Sequence, residues 1–347
     1  MKNTTLQICN EIIHPGESLS LALPLPELFS CAPLYMPIKV IHGKQAGPCL
    51  LITAAMHGNE INGTEVINQL LNTRVLKRLH GTLIAVPVLN VYGLINRSRD
   101  LPGGVDLNRC FPGSENGTHA ARVAHLFVRE VFSKADICID LQTGFINYSN
   151  LPQIYLNFND EKAKLLAEAF NAPVISNLVY EKGMLATYAK QKNIPFLMYQ
   201  AGEAMRFDQG TIKVGVKGIL NVMKKLAMLP VKASAKPVAF KSHFTEKNIW
   251  VRASTSGISH SNLTLGQYVK QNEKLGVIKD PFGVTDSGVI TSPEDAVVVG
   301  KNNLPLVHEG EALFQLAVFP KMQQTATKLE AWKEHSEEQL NIEPNTN

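Results

Sequence analysis

Apolar and polar positions follow two different rhythms along this chain, and the change falls near residue 230. Between about residues 33 and 230, short β-rich runs alternate with stretches of helical period. Residues 35–41 and 49–55 read as strands, and residues 60–71 then set Ile61, Val66, Ile67, Leu70 and Leu71 on one side of a helix. Residues 82–89 are apolar almost without interruption, the mark of a strand buried on both faces. A helix is expected over 120–132 and a strand over 135–141. Further strands are expected at 154–157, 173–175 and 195–199, with helices at 161–170 and 183–191, and a last helix at 214–229 before Pro230. Such regular alternation predicts an α/β fold, a central sheet of about eight strands with helices on both faces.

Beyond Pro230 the pattern changes. Residues 231–237 read as a small-residue linker. Residues 250–319 show no helical period, and Gly257, Gly266, Gly276, Gly283, Gly288, Gly300 and Gly310 punctuate short apolar strands. This predicts a small all-β, barrel-like domain. The last stretch is polar and is expected to fray after a helical turn or two. The expected organisation is an N-terminal segment (1–32), an α/β domain (33–235), a small β domain (236–320) and a polar, partly disordered tail (321–347).

Composition narrows the function classes. With 45% hydrophobic and 18% charged residues, the 347-residue chain is not disordered over most of its length. Thirty-four Lys and Arg against thirty Asp and Glu give +4, with no polybasic run, so neither nucleic acid nor a membrane surface is expected as a main partner. The longest apolar stretches fall well short of the ~20 residues a spanning helix needs. No hydrophobic signal core follows Met1, and the five cysteines are scattered without paired spacing, so a reduced, cytoplasmic protein is expected.

Four segments could carry chemistry. In Met56-His57-Gly58-Asn59-Glu60 a buried strand ends and a helix begins within a few residues, and ligand sites of open α/β sheets lie at such carboxyl ends. His57 and Glu60 can converge on one metal ion. The plainer alternative makes Glu60 a helix cap and His57 a turn residue. In the loop from Arg99 to Arg109, two arginines and Asn108 suit a carboxylate, although solvated surface arginines would look the same. Asp140-Leu141-Gln142-Thr143-Gly144 and Tyr199-Gln200-Ala201-Gly202-Glu203 are two more strand ends, and each alone carries only a neutral amide.

Together, His-Gly-x-Glu followed by Asp-Leu-Asn-Arg-x-Phe-Pro-Gly resembles the succinylglutamate desuccinylase/aspartoacylase group of zinc carboxypeptidase-like hydrolases. The resemblance runs from about residue 38 to 319 and includes Trp250-Val251-Arg252-Ala253 and Asp280-Pro281-Phe282-Gly283. It implies a mixed central sheet and hydrolysis of small N-acyl amino acids by a zinc-activated water. His57 and Glu60 match two zinc ligands, Arg99 the oxyanion-stabilising arginine, and Asn108 and Arg109 the pair that binds the substrate carboxylate. The family's third ligand, a His, falls on Gln142, and its catalytic Glu falls on Gln200. Gln142 offers zinc only a neutral carbonyl oxygen, and Gln200 accepts no proton near neutral pH. One zinc ion at weak or partial occupancy is therefore expected. Two function classes compete, a metal-dependent hydrolase with an impaired site and a catalytically inactive binder of a small carboxylate. Glu203 would need a shifted backbone to stand in as the base, and His119 and His125 suit surface or packing roles. The β domain, whose histidines 243, 260 and 308 are widely spaced, is expected to shape the pocket entrance or a subunit contact, which leaves homo-oligomerisation open.

Overall fold

The computed structural model describes residues 3–230, 240–284 and 288–342, with side chains to residue 334. At its centre four parallel strands lie in the order His80–Val86, Gln45–Ala54, Ile137–Gly144 and Phe196–Glu203. Tyr35–His42 and then Ser18–Pro24 extend one side antiparallel. Tyr148–Leu156 extends the other side antiparallel, and Val174–Asn177 pairs parallel with it. The sheet is mixed, as the resemblance implied.

Residues successive along a central strand point to opposite faces, and each face has its own core. Leu51, Ile84 and Cys138 pack with Phe127, Phe132, Leu185 and Ala189 under the helices His119–Glu130 and Leu185–Gln191. Leu50, Ile52 and Ile139 pack with Val66, Leu166, Phe170, Ile219 and Val222 under the helices Asn62–Leu71, Glu161–Phe170 and Gln209–Lys225. All eight residues of Ile137–Gly144 are buried. A strand sandwiched in this way must be apolar on both faces, which is why the central strands read as continuous apolar runs.

The C-terminal β region is not a separate bead. Ala296–Asn302 pairs antiparallel with the edge strand Tyr148–Leu156, with Gly300 opposite Asn150, and Ala312–Val318 and Lys247–Arg252 follow it in the same ladder. A second sheet of Gly257–His260, Lys274–Lys279, Gly288–Thr291 and Leu306–Val307 packs over it. Val251, Ile278, Ile290, Val298, Phe314 and Leu316 are buried between the two.

Three differences from the sequence reading have physical causes. The strand expected at 154–157 begins at Tyr148 because Asn150 and Gln153 are buried at the joint with the C-terminal ladder, where polar residues are not an exposure signal. The helix expected at 214–229 runs over Gln209–Lys225, started by Asp208, whose carboxylate accepts the Thr211 N–H. The tail, expected to fray within two turns, is a helix over Met322–Ile342; Ala326 and Leu329 are buried, and Trp332 meets the Phe240 ring at 6.2 Å. Those few apolar positions are hidden in a charged sequence but suffice to dock one face. The linker expected at 231–237 lies outside the described residues.

Candidate functional site

The three parallel strands Gln45–Ala54, Ile137–Gly144 and Phe196–Glu203 end side by side, and the candidate residues gather at those ends. Beyond Ala54 the chain turns through Ala55, whose φ of +48° is left-handed, and the N–H groups of Leu89 and Asn90 bond the carbonyls of Ala54 and Ala55 at 3.0 and 2.9 Å. His57 follows two residues on. Gly58 packs so closely on the backbone of Gly93 that a Cβ would stand 1.9 Å from the Gly93 carbonyl carbon, so only glycine fits. Its N–H bonds the Arg99 carbonyl at 3.2 Å, which lays the arginine loop over the histidine.

His57 and Glu60 are each 2% exposed. His57 Nδ1 lies 2.8 Å from Glu60 Oε1, and His57 Nε2 lies 3.1 Å from Asp106 Oδ1. Arg99 bridges the two carboxylates, 3.4 Å from Glu60 Oε1 and 3.1 Å from Asp106 Oδ2. Glu60 Oε2 accepts the Thr143 N–H at 3.2 Å, tying the first strand's loop to the second strand beside Gln142. Glu60 does not cap the following helix. That helix starts at Asn62 after Ile61, which makes no side-chain cap, and both oxygens of Glu60 turn into the site.

Gln142 and Gln200 stand opposite one another in register on adjacent parallel strands. The Gln142 amide donates to Asp140 Oδ2 at 2.6 Å, and Thr53 Oγ1 donates to Asp140 Oδ1 at 2.6 Å. The Gln200 amide donates to the Thr143 carbonyl at 3.2 Å. Asn108 is buried, its side-chain Oδ1 accepting the Leu185 N–H at 3.0 Å. Arg109 turns outward and pairs with Glu181; both side chains are about half exposed. Gly183, at φ +87°, allows this approach, because a Cβ there would sit 2.1 Å from the Arg109 carbonyl oxygen. The Glu203 carboxylate is held away from the glutamines by Asn147 N–H, Ser149 Oγ and Asn303 Nδ2 at 3.1, 3.1 and 2.9 Å. His119 packs edge-on to Tyr92 at 4.7 Å.

The charges interlock. Burial alone would pull the His57 imidazole down, but the charge of Glu60 and hydrogen bonds to Asp106 and Glu60 outweigh it and hold it up at about 9, against the pull of Arg99. Burial would raise Asp106, yet its hydrogen bond to His57, the charges of His57 and Arg99, and the Asn108 N–H keep it well below the usual carboxylate range. Asp140 is different. Burial pushes it up to about 6, in spite of the Thr53 and Gln142 hydrogen bonds.

Catalytic zinc generally has three protein ligands of the imidazole, thiolate or carboxylate kind plus water. Among the described residues no group of three His, Cys, Asp or Glu side chains stands in metal-binding geometry. His57 and Glu60 bring two donors together, but where the resemblance implies a third ligand the chain has the neutral amide Gln142, donating to Asp140. The residues present do not complete a zinc site.

Sequence reasoning passed over three members of the site. Asp106, within the quoted Asp-Leu-Asn-Arg run, closes the ring with His57 and Arg99; an acid between two arginines was its signal. Asp140, buried under Gln142, carried a weaker one, a charge inside an apolar strand. Phe145, whose ring lies 4.8 Å from the Arg99 guanidinium, carried none.

Comparison with known proteins agrees with this architecture. The profile of the succinylglutamate desuccinylase/aspartoacylase catalytic domain matches residues 46–226. The chain is 22% identical over 297 residues to the N-alpha-acetyl-L-2,4-diaminobutyric acid deacetylase of Halomonas elongata, covering 81% of this chain and 85% of that protein. Its fold is shared with a succinylglutamate desuccinylase/aspartoacylase from Rhodobacter sphaeroides (TM-score 0.78, 23% identity, 87% of this chain and 96% of that one). It is shared equally with the product-bound ectoine utilization protein EutE (DoeB) of Ruegeria pomeroyi (TM-score 0.78, 22% identity, 87% and 95%). With the family profile spanning more than half of its length, the chain belongs to the succinylglutamate desuccinylase/aspartoacylase family.

Proposed function

We propose that this protein binds a small N-acyl amino acid, the substrate class of its family, and that it hydrolyses the amide at or near the background rate. One observation carries this reading. Gln142 and Gln200, at the places where the resemblance implies a ligand and a base, are both neutral amides hydrogen-bonded to fixed neighbours. Neither takes a proton from water near pH 7, and loss of general-base help alone costs ~10²–10⁴ in rate. Residues suited to binding are present. Arg99 presents a half-buried guanidinium to an acyl carbonyl, and Asn108 and Arg109 offer an amide and a second guanidinium to the carboxylate, once Glu181 has given way.

A second reading, metal-dependent hydrolysis of N-acyl amino acids, has its own support. The family is zinc-dependent in general. His57 presents one nitrogen to Glu60 and the other to Asp106, an arrangement common for a metal-bound histidine and its outer carboxylate. Zinc analysis of the purified protein, with hydrolysis assays over acetylated, succinylated and formylated amino acids, separates the two. Stoichiometric zinc with robust turnover would overturn the first reading. Carboxylate binding at substoichiometric zinc and background turnover would overturn the second.

A further inference from the structure

The polar face that carries the two glutamines does not stop at Gln200. On the next strand, Gln153 stands directly opposite Gln200, and Asn150 stands opposite Gly202. Gly300, Gln315 and Trp250 continue the Asn150 row into the C-terminal ladder. Residues opposite one another in a sheet share a face, so Gln142, Gln200 and Gln153 line one wall. Two contacts fix the rest of that face. The Gln315 amide donates to Tyr155 Oη at 3.1 Å, and the Tyr148 and Trp250 rings meet at 5.6 Å.

Three buried polar atoms on this wall have no hydrogen-bond partner among the described residues: Gln153 Oε1, Asn150 Oδ1 and Tyr148 Oη. Gln153 is 0% exposed and Asn150 2%. The Gln153 amide is oriented, because its Nε2 donates to the Val299 carbonyl at 3.4 Å; the atom left over is an acceptor. Asn150 Oδ1 and Tyr148 Oη point to one spot. They lie 2.8 and 2.9 Å from the place a Cβ at residue 300 would take, and glycine leaves that place open. Buried polar groups are nearly always paired, and an unmade hydrogen bond there costs more than a made one returns. Three unpaired groups beside Gln200 therefore mark a subsite that lacks its partner.

Resting on the N-acyl amino acid reading above, we infer that Gln153, Asn150 and Tyr148 receive the ligand's side chain, and that this side chain ends in an N–H donor, an amide or an ammonium. Two amide oxygens and a hydroxyl oxygen all accept from such a donor. A carboxylate would set its own acceptors against the two amide oxygens, and an alkyl side chain would leave all three groups unpaired. An ammonium would also meet the faces of Tyr148 and Trp250, which attract a cation. The C-terminal β region contributes to the selectivity through Gly300, whose lack of a side chain keeps the spot free.

The test is calorimetric binding of N-acetylglutamine, N-acetylglutamate, N-acetyllysine and N-acetylnorleucine to the full-length protein. N-acetylglutamine should bind at least ~10-fold tighter than N-acetylglutamate, or N-acetyllysine at least ~10-fold tighter than N-acetylnorleucine, as a buried hydrogen bond discriminates. Which pair shows the larger ratio tells an amide from an ammonium. Tyr148→Phe and Asn150→Leu should each cut that ratio at least ~3-fold, and Gln153→Met should lower it likewise. Because Tyr148→Phe and Asn150→Leu remove unpaired buried atoms, the melting temperature of the ligand-free protein should stay the same or rise. Ratios near one in both pairs overturn the inference, as do Tyr148→Phe and Asn150→Leu variants that keep the wild-type ratio. So does a melting temperature lowered by either change, because the groups would then be satisfied by buried water as part of the fold. If all four ligands bind equally, only this inference fails; if none binds, the functional reading fails with it.

Discussion

Gln142 and Gln200 face each other in register across two parallel strands, each directing its amide N–H to a fixed acceptor, Asp140 and the Thr143 carbonyl respectively. Asp140 matters as much as the glutamine above it. A buried carboxylate behind a metal-site position is the partner that a metal-bound histidine uses to fix its tautomer and orientation. Here it holds an amide.

Replacing Gln142 by His should therefore raise zinc affinity by at least ~10²-fold, because it adds a third strong ligand over a carboxylate already in place. Competition with a chromogenic chelator would measure it. An unchanged affinity would show that the 142 position does not reach the cation held by His57 and Glu60.

Gln200→Glu on its own should leave hydrolysis near background, since a base has nothing to deprotonate without an activated water. Combined with Gln142→His, the gain in kcat/KM should exceed the product of the single effects, because ligand and base act as one unit. Simple multiplicativity over the four proteins would contradict that coupling.

The His57–Glu60–Asp106–Arg99 ring makes stability depend on pH in the metal-free protein. The pKa of His57 is about 9 when folded and near 6.5 when unfolded. Its contribution, roughly 3 kcal/mol, is therefore fully present below pH 6.5 and lost as pH rises through 9. Asp106, held low, contributes above about pH 4 and loses its effect only in strong acid. Melting temperature in EDTA should fall between pH 6.5 and 9, and Asp106→Asn should flatten that slope. A flat wild-type profile across this range would refute the assignment.

Glu181→Gln tests the half-exposed pair with Arg109. Exposed ion pairs contribute about 0–1 kcal/mol, so unfolding free energy should change by less than ~1 kcal/mol. Affinity for a small carboxylate should rise a few-fold as Arg109 is freed, by at most ~5-fold on the same energy scale. A fall in affinity would place Glu181 among the groups that bind the ligand.

Gly58→Ala should be among the most damaging single-methyl changes in the chain. Its Cβ would overlap the Gly93 backbone, which cannot withdraw as a side-chain tip can. Urea denaturation should show a loss of roughly 3 kcal/mol or more. A loss under about 1 kcal/mol would mean that the two loops separate easily.

Much of this protein was legible in its residue order, for definite physical reasons. The parallel strands are buried on both faces, so 82–89 and the run around Cys138 had to be apolar throughout, and the helix at Glu161–Phe170 shows its period because only one face is covered. His57 and Glu60 stood out because polar residues at the end of such a strand contradict the apolar pattern around them, and Arg99 and Asn108 because two arginines and an amide crowd one loop. Partnerships could not be found in this way. Glu60 as site member or helix cap, Arg109 turned inward or paired with Glu181, and Glu203 as a spare carboxylate or a clamp on Asn303 are choices between geometries open to the same local sequence. Contacts between residues 83, 72 and 100 positions apart decide them. The joint of Gly300 on Asn150 and the docking of the C-terminal helix by Ala326 and Leu329 are of the same kind. A periodicity records which face of an element is buried; the group that buries it comes from elsewhere in the chain and leaves no mark in the local pattern.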